Sequence, residues 1–181
     1  KRLTSARNYN LFQLYLFTSE ADLAIAQDKG VSCGKVGGYP KLDPYLPAPA
    51  FAREPGAKTR ILFTSTYDAS GMSAVHMWMD RIGELSEKYE VYVSLHPWMS
   101  KAVKERIASL PNILYVKDNP LPYLAGADLC IVDNSSIIGE CCALNKPIIS
   151  FVLPSAGRSV PEITRLLETC SLRISTFNEL I

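Results

Sequence analysis

Polar and ionisable residues come directly after four of the apolar runs that the sequence predicts to be β-strands. In an open parallel sheet, ligands bind beyond the carboxyl ends of the strands, so these are the residues whose chemistry matters most. The order of residues predicts that their loops meet at one edge of the sheet. The four groups are Ser65 to Asp68, His96-Pro97, Lys117-Asp118 and Asp133 to Ser136.

The segment from Asp128 to Glu140 has the pattern of a buried strand that turns through small polar residues into a helix. Ser135 or Ser136 could cap that helix, whose free amides and dipole favour a phosphate. Glu140 follows about one helical turn later, where its carboxylate could accept hydrogen bonds from ribose hydroxyls. Simple helix capping, with Glu140 as a first-turn acid, explains the same pattern without a ligand.

His96 ends a predicted strand and precedes Pro97, which fixes the turn. An imidazolium at this place could bind a diphosphate or donate a proton to a departing phosphate. A histidine that only hydrogen-bonds a neighbouring loop would look the same in sequence. The second histidine, His76, lies on a predicted amphipathic helix, where a packing role is favoured.

Several familiar nucleotide and hydrolase motifs are absent from the sequence. No G-x-G-x-x-G, G-x-x-x-x-G-K-[ST] or G-x-S-x-G pattern occurs, which argues against NAD binding, P-loop chemistry and α/β-hydrolase chemistry. A D-x-D metal motif is missing as well. No cofactor or metal is therefore expected, and charge that develops on a phosphate would be met by helix termini, His, Lys or Arg.

Composition places the chain among globular proteins of one domain, or of one domain and part of a second. It has 181 residues, 48% of them apolar and 20% charged. A net charge of +1 gives no electrostatic reason to expect nucleic acid as a partner. No run reaches the roughly 18 apolar residues that span a bilayer.

The 5 cysteines are an odd set without C-x-x-C spacing. Reduced, mostly buried thiols of a cytoplasmic protein are the favoured interpretation over disulfides or zinc ligands. The five are Cys33, Cys130, Cys141, Cys142 and Cys170.

Residues 1–56 differ in pattern from the rest of the chain. A short strand is predicted over 11–18, and a helix runs from Ser19 to about Lys29 and stops at Gly30. A proline-rich stretch from Pro44 to Pro55 then predicts a linker. Because the first residue is Lys1 rather than Met, the chain is expected to be a piece of a longer protein.

From residue 57 to 181, apolar runs alternate with helical patterns and no hairpin signals intervene. This alternation requires crossover connections, and so predicts an α/β domain with an open, doubly wound parallel sheet. Strands are expected at 60–66, 90–95, 113–116, 128–132, 147–152 and 172–175. Helices are expected at 73–88, 100–109, 120–126, 135–144 and 161–169.

Taken in order, these segments resemble the CDP-glycerol glycerophosphotransferases that build teichoic-acid-type polymers. The resemblance spans about residues 20 to 153, and it depends on the ordered set rather than on any one piece. The matching pieces are Gly38 to Asp43, Ile61 to Tyr67, Leu95-His96-Pro97, Ala127-Asp128, Asp133 to Ser136, Glu140, and Lys146 to Ile149.

The resemblance implies the C-terminal half of a GT-B fold, a Rossmann-like domain that holds the nucleotide donor. Residues 57–181 would be that domain, and 1–56 the end of the N-terminal domain with the linker. The implied reaction transfers glycerol phosphate, or a related polyol phosphate, from a CDP-linked donor to an acceptor hydroxyl. The implied partners are a polymer or lipid-linked acceptor and the missing N-terminal domain. The implied location is the cytoplasm, peripherally at the inner face of the cell membrane.

Site residues follow from the same resemblance. His96 matches the family histidine that contacts the donor phosphates and is the catalytic candidate, while the family's general base lies in the absent N-terminal domain. Ser135 and Ser136 match the phosphate-binding helix start, and Glu140 the acidic residue near the ribose. The remaining donor-binding residues implied are Tyr67, Pro97 and Asp133.

Two other functions stay open at this point. Many family members have arginine after the tyrosine that matches Tyr67, whereas this chain has Asp68. That departure keeps a nucleotide-sugar-dependent GT-B glycosyltransferase or epimerase in view. A nucleotide-binding domain without catalysis is the third alternative.

Overall fold

The structure is a computed structural model that describes residues 5–46, 56–153 and 161–181. Its contacts divide the chain into two compact units, Lys1–Pro44 and Tyr45–Ile181. Most of the predicted proline-rich linker lies outside the described residues.

The first unit contains a two-stranded parallel sheet and two helices. In chain order these are α1 (Ala6–Tyr9), β1 (Tyr15–Phe17), α2 (Glu20–Asp28) and β2 (Gly34–Val36), followed by a 3-10 helix at Pro40–Tyr45. The predicted helix after Ser19 is confirmed, and the Ser19 hydroxyl caps it by accepting from the Asp22 amide. The predicted strand over 11–18 is shorter than expected, because only its last part pairs with β2.

Little of the first unit's apolar surface is buried. Its core consists of Phe17, Ala26 and Val31, with α2 packed onto the sheet. A Cβ on Gly34 would lie 2.6 Å from a Leu23 methyl carbon, so the glycine permits that close approach. Four apolar side chains on and before β1 remain mostly exposed, namely Leu11, Phe12, Leu14 and Leu16.

The second unit is built on a six-stranded, all-parallel sheet. The strands are β3 (Thr59–Ser65), β4 (Tyr89–Leu95), β5 (Ile113–Val116), β6 (Leu129–Val132), β7 (Ile148–Phe151) and β8 (Leu172–Ile174). Their spatial order is β5-β4-β3-β6-β7-β8. The predicted strands are confirmed, and the order reverses between β3 and β6, the topological switch point at which such sheets bind ligands.

Helices connect the strands, and one of the predicted helices is not continuous in the structure. They are α3 (Val75–Trp78), α4 (Lys101–Ala108), α5 (Leu121–Gly126), α6 (Ile138–Ala143) and α7 (Pro161–Cys170), with 3-10 helices at Asp68–Ser70, Ile82–Leu85 and Phe177–Leu180. The single helix predicted over 73–88 is wrong. It breaks into α3 and a 3-10 turn around Gly83, a poor helix former, while Trp78, Ile82 and Leu85 all stay buried.

Both faces of the sheet are covered. Phe63 and Ile131, side by side on β3 and β6, pack beneath α3 and α4 in one core cluster. On the opposite face, Leu62 and Cys130 are also fully buried, and Cys141 of α6 hydrogen-bonds Cys130. This two-sided burial explains why the middle of each central strand is mostly apolar.

The side chain of His76 is exposed on α3, so the packing role predicted for it is wrong. The short helix turns this position to solvent while Val75 and Trp78 face the sheet.

Candidate functional site

The carboxyl ends of β3 and β6 are joined by a buried carboxylate. Asp133 has no exposed surface and accepts three hydrogen bonds through its Oδ2 atom. The Ser65 hydroxyl donates at 2.5 Å, the Thr66 amide at 2.9 Å and the Ala74 amide at 3.2 Å. The Ser65 hydroxyl also contacts that of Ser73 at 2.8 Å. We call these groups the Asp133 corner.

Burial raises the pKa of Asp133 to about 6, although the hydrogen bonds from Ser65, Thr66 and Ala74 act in the opposite direction. Because the donors come from both ends of the loop after β3, the carboxylate holds that loop against β6. The direct contact between Asp133 and a donor that the resemblance implies stays a prediction, and in this structure the carboxylate has no exposed surface and positions the loop.

The turn after Asp133 differs from the predicted capped helix. Helix α6 begins at Ile138, its N-cap is Ile137, and that residue makes no side-chain cap hydrogen bond. Ser135 and Ser136 lie in the preceding turn, where their carbonyls accept from the Ile138 amide at 3.3 Å and the Gly139 amide at 3.2 Å. The predicted capping by Ser135 or Ser136 is therefore wrong. Both residues lie at the carboxyl end of β6, Ser135 half-buried and Ser136 exposed.

Glu140 is half-buried in the first turn of α6. Ser136 precedes the helix, although its carbonyl accepts from the Gly139 amide at 3.2 Å, so the chain already turns between Ser136 and Glu140. The role of Glu140 toward a ribose stays a prediction.

Three aromatic rings cluster at the carboxyl ends of β3 and β4. The Tyr67 and His96 ring centroids are 5.1 Å apart, Tyr67 and Trp98 5.6 Å, and His96 and Trp98 5.5 Å. Trp98 is 73% exposed, while Tyr67 and His96 are half-buried. We call these three side chains the ring cluster.

The backbone fixes the protonation state of His96. The Trp98 amide donates to Nδ1 of His96 at 3.1 Å, so Nδ1 is an acceptor and the neutral ring carries its proton on Nε2. Burial, and to a lesser extent the positive charge of Lys104, lower the pKa of this imidazole. The lowered pKa favours the neutral imidazole over the imidazolium expected from the sequence, and the neutral ring can donate one hydrogen bond from Nε2.

Hydrogen bonds to neighbouring loops hold His96 in place. Its amide donates to the Ser65 carbonyl at 3.0 Å, which ties the ring cluster to the Asp133 corner through one residue. Lys104 donates to the carbonyl of the exposed Pro97 at 2.6 Å. The loop that carries His96 is thus anchored on both sides.

Asp68, the residue that departs from the family pattern, also anchors this loop. It accepts from the Ser100 amide at 3.3 Å, and hydrogen bonding by the Ser100 side chain lowers the pKa of its carboxyl. Asp68 therefore links the loop after β3 to the start of α4.

The site contains residues that the sequence did not identify. Trp98 is the clearest example. The sequence signal that could have identified it is a large aromatic residue directly after His96-Pro97. Ser73 was missed because no local pattern connects it with Asp133, and Ser65 was among the polar residues noted after β3 but without its bond to Asp133. The ends of β4 and β6 flank β3, so His96 and the turn at Ser135 follow strands on either side of it.

Among the described residues, no group of three or more His, Cys, Asp or Glu side chains is placed to hold a metal ion. In the same part of the chain, none of the helices combines the length and apolar character needed to cross a membrane.

The likeness of this chain to known proteins lies in its three-dimensional structure. No protein-family model and no curated protein sequence matches the chain. A variant of the wall teichoic acid polymerase TagF matches with a TM-score of 0.57 and 16% identity, over 80% of this chain and 42% of that one. TagF soaked with CDPG matches with a TM-score of 0.55 and 15% identity, over 81% and 39%.

A UDP-GlcNAc 2-epimerase from Neisseria meningitidis bound to UDP-GlcNAc matches with a TM-score of 0.51 and 17% identity, over 87% of this chain and 48% of that one. The chain spans less than half the length of each of these proteins. At such identities the likeness shows the fold. The predicted α/β fold, an open doubly wound parallel sheet of the Rossmann-like type found in GT-B halves, is confirmed.

Proposed function

We propose that this chain is the donor-binding part of a GT-B-type transferase that moves glycerol phosphate, or a related polyol phosphate, from a CDP-linked donor to an acceptor hydroxyl. The observation that carries the proposal is His96, whose Nδ1 accepts from the backbone and leaves Nε2–H as a donor, beside Tyr67 and Trp98 at the edge of the sheet next to the switch point. A single fixed donor at this place suits a diphosphate oxygen.

In the proposed reaction, the acceptor hydroxyl attacks the phosphorus that carries the glycerol. The bond between the two phosphates breaks, and CMP leaves with the bridging oxygen. His96 Nε2–H donates to a phosphate oxygen and stabilises the charge that grows there, and this makes it the catalytic candidate. The acceptor proton passes to a general base that we assign to the N-terminal domain of the same protein.

The other donor contacts come from the two flanking loops. Tyr67 and Pro97 border His96, while Ser135 and Ser136 face the donor from the turn after β6. Glu140 accepts hydrogen bonds from the ribose. Asp133 positions the loop between them, and neither a metal nor a cofactor takes part.

The first unit supports the assignment of a further domain. Parallel sheets are normally covered on both faces, yet the two-stranded sheet here leaves Leu14 and Leu16 mostly exposed. More of the same protein would cover this surface. The acceptor, a polymer or a lipid-linked chain, would be met by the complete protein in the cytoplasm at the inner face of the cell membrane.

A nucleotide-sugar-dependent glycosyltransferase or epimerase is the second candidate. Asp68, where many glycerophosphotransferases carry arginine, and the likeness to an epimerase bound to UDP-GlcNAc favour it. In that case the same edge of the sheet would hold a UDP-linked sugar. A binding domain without catalysis is the third candidate.

Calorimetric titration of the chain with CDP, UDP and CDP-glycerol separates these candidates. Preference for CDP and CDP-glycerol over UDP supports the glycerophosphotransferase, and preference for UDP supports the second candidate. Binding of CDP without any turnover after the rest of the protein is added supports the third. Absence of binding to all three ligands would contradict every nucleotide-based function.

This chain alone is expected to bind the donor weakly and not to turn it over. The general base and acceptor site are assigned to the other domain, and positioning of reactants supplies much of the rate in such reactions. CMP release from CDP-glycerol by the chain alone, above that of His96→Ala, would contradict the assignment of the base.

A further inference from the structure

Two thiols from different helices face each other on the second unit. The Sγ atoms of Cys142, on α6, and Cys170, the last residue of α7, are 3.7 Å apart, with Cys142 donating. Both side chains are half-buried, so small molecules can reach the pair from solvent.

The other three cysteines lack this combination of proximity and access. Cys130 and Cys141 are fully buried, and hydrogen bonding with Cys130, followed by burial, raises the pKa of the Cys141 thiol. Cys33 lies in the first unit and donates to the Tyr9 carbonyl at 3.2 Å. Selective chemistry at one pair of thiols is therefore expected.

We propose that Cys142 and Cys170 form a reversible disulfide when the protein meets a hydroperoxide, and that this bond ties α6 to α7. The proposal is independent of the proposed transferase function, since it depends on the two thiols alone.

The step begins at Cys170. Because Cys142 already donates its S–H to the Cys170 sulfur, the Cys170 thiolate has a hydrogen-bond donor in place. It attacks one peroxide oxygen, the O–O bond breaks, and hydroxide leaves to give a sulfenic acid at Cys170. Cys142 then displaces the sulfenic oxygen as water. In total, two thiols and one hydrogen peroxide become one disulfide and two waters.

Cys142 sets the rate of the second step. Burial, and then the hydrogen bond to Cys170, raise its pKa to about 11, so little thiolate is present at neutral pH. Its sulfur must move closer by about 1.7 Å to reach the length of a disulfide bond. Closure should therefore become faster as the pH rises from 7 to 9.

The disulfide bond would restrain α6, the helix that follows the turn at Ser135 and Ser136. Helix α6 begins two residues after Ser136 and carries Cys142 near its end. Joining α6 to the end of α7 closes a loop between residues 142 and 170. The crosslink limits the motion of α6 in the folded chain and reduces the conformational entropy of the unfolded chain.

Treatment of the purified chain with hydrogen peroxide tests the proposal. The expected result is that titratable thiols fall from 5 to 3, and that non-reducing peptide mapping finds one crosslinked pair containing Cys142 and Cys170. The Tm should rise by about 5 °C or more and return after dithiothreitol. Cys142→Ser and Cys170→Ser should each abolish the crosslink, whereas Cys33→Ser, the matched control, should keep it.

Three results would overturn the proposal. One is a crosslink that joins any other pair, and another is a sulfinic acid at Cys170 with no crosslink in the wild type. The third is retention of all five thiols at pH 9, in peroxide that oxidises free cysteine. Because these readouts are covalent, failure of the nucleotide-binding proposal would not change them.

Discussion

The Asp133 corner and the ring cluster are neighbouring parts of the same sheet edge, yet they differ in every physical respect. The carboxylate of the corner is fully buried and is saturated by internal donors. The ring cluster is partly exposed, and its histidine keeps one donor free of the backbone bond that fixes it. Ser65 connects the two, because its hydroxyl donates to Asp133 and its carbonyl accepts from the His96 amide. The difference teaches that one part of this edge provides shape, while the other carries the groups that we propose bind a ligand.

Removing the carboxylate from the corner should have the largest effect on stability. Asp133→Ala leaves a buried hydroxyl and two buried amides without their acceptor, so the free energy of unfolding should fall by about 3–5 kcal/mol. Chemical denaturation measures this change. Asp118→Ala is the matched control, since Asp118 also follows a strand but is exposed, and it should change stability by less than about 0.5 kcal/mol. Equal small losses for both variants would contradict the role of the corner.

The corner should also respond to pH. The pKa of Asp133 is raised from 3.8 to about 6 in the folded chain, so the folded state favours the protonated form. The contribution of Asp133 to the free energy of unfolding is complete below about pH 3.8 and is lost as the pH rises through 6. The total loss is about 3 kcal/mol. Asp133→Asn cannot ionise at this position. The stability of the wild type minus that of this variant should therefore fall between pH 4 and pH 7.5, and a flat difference would refute the assignment.

Substitutions in the ring cluster should lower ligand affinity and leave the free energy of unfolding almost unchanged. His96→Ala removes a hydrogen bond to a charged phosphate, which is worth roughly 1.5–3 kcal/mol, so CDP affinity should fall about tenfold to a hundredfold. Cytidine, which lacks phosphate, should be affected much less. The control is His76→Ala, at the exposed second histidine, and it should bind CDP as the wild type does. Unaltered CDP binding in His96→Ala would remove the basis of the proposed site.

Substitution of Trp98 should have the smallest effect, and the fluorescence of this residue provides a signal for ligand binding. It is exposed beside His96, whereas Trp78, the second tryptophan, is buried, so acrylamide should quench mainly Trp98. Bound CDP should reduce that quenching, and Trp98→Phe should eliminate the CDP-dependent change while the unfolding midpoint stays the same. Protection that persists in Trp98→Phe would indicate a ligand elsewhere.

Much of the fold could be predicted from the sequence because central parallel strands leave a simple pattern. Strands such as β6 and β7 are buried on both faces and are therefore almost wholly apolar. The helices between them leave only one possible kind of connection. The pattern could not show that the helix predicted over 73–88 breaks near Gly83, since its buried residues keep a helix-like spacing across the break.

The site was harder to predict because its contacts are distant in sequence. Asp133 and Ser65 are 68 residues apart, and nothing local distinguishes a saturated buried carboxylate from one that faces a ligand. The protonation of His96 depends on a backbone amide two residues later, a detail of turn geometry. Ser135 and Ser136 had the residue types of helix caps, but the chain makes a further turn before α6 begins.

The central claim, that a nucleoside diphosphate binds at the carboxyl edge beside the switch point, is tested most directly by mapping amide chemical shifts during a CDP titration. The account predicts that the largest changes fall on Tyr67, His96, Trp98 and Ser135, and that they diminish in His96→Ala but not in His76→Ala. An apolar cleft lies at the opposite end of the strands, lined in part by Thr59, Leu85 and Tyr89. Shifts confined to that cleft, or no shifts at saturating CDP, would contradict the account.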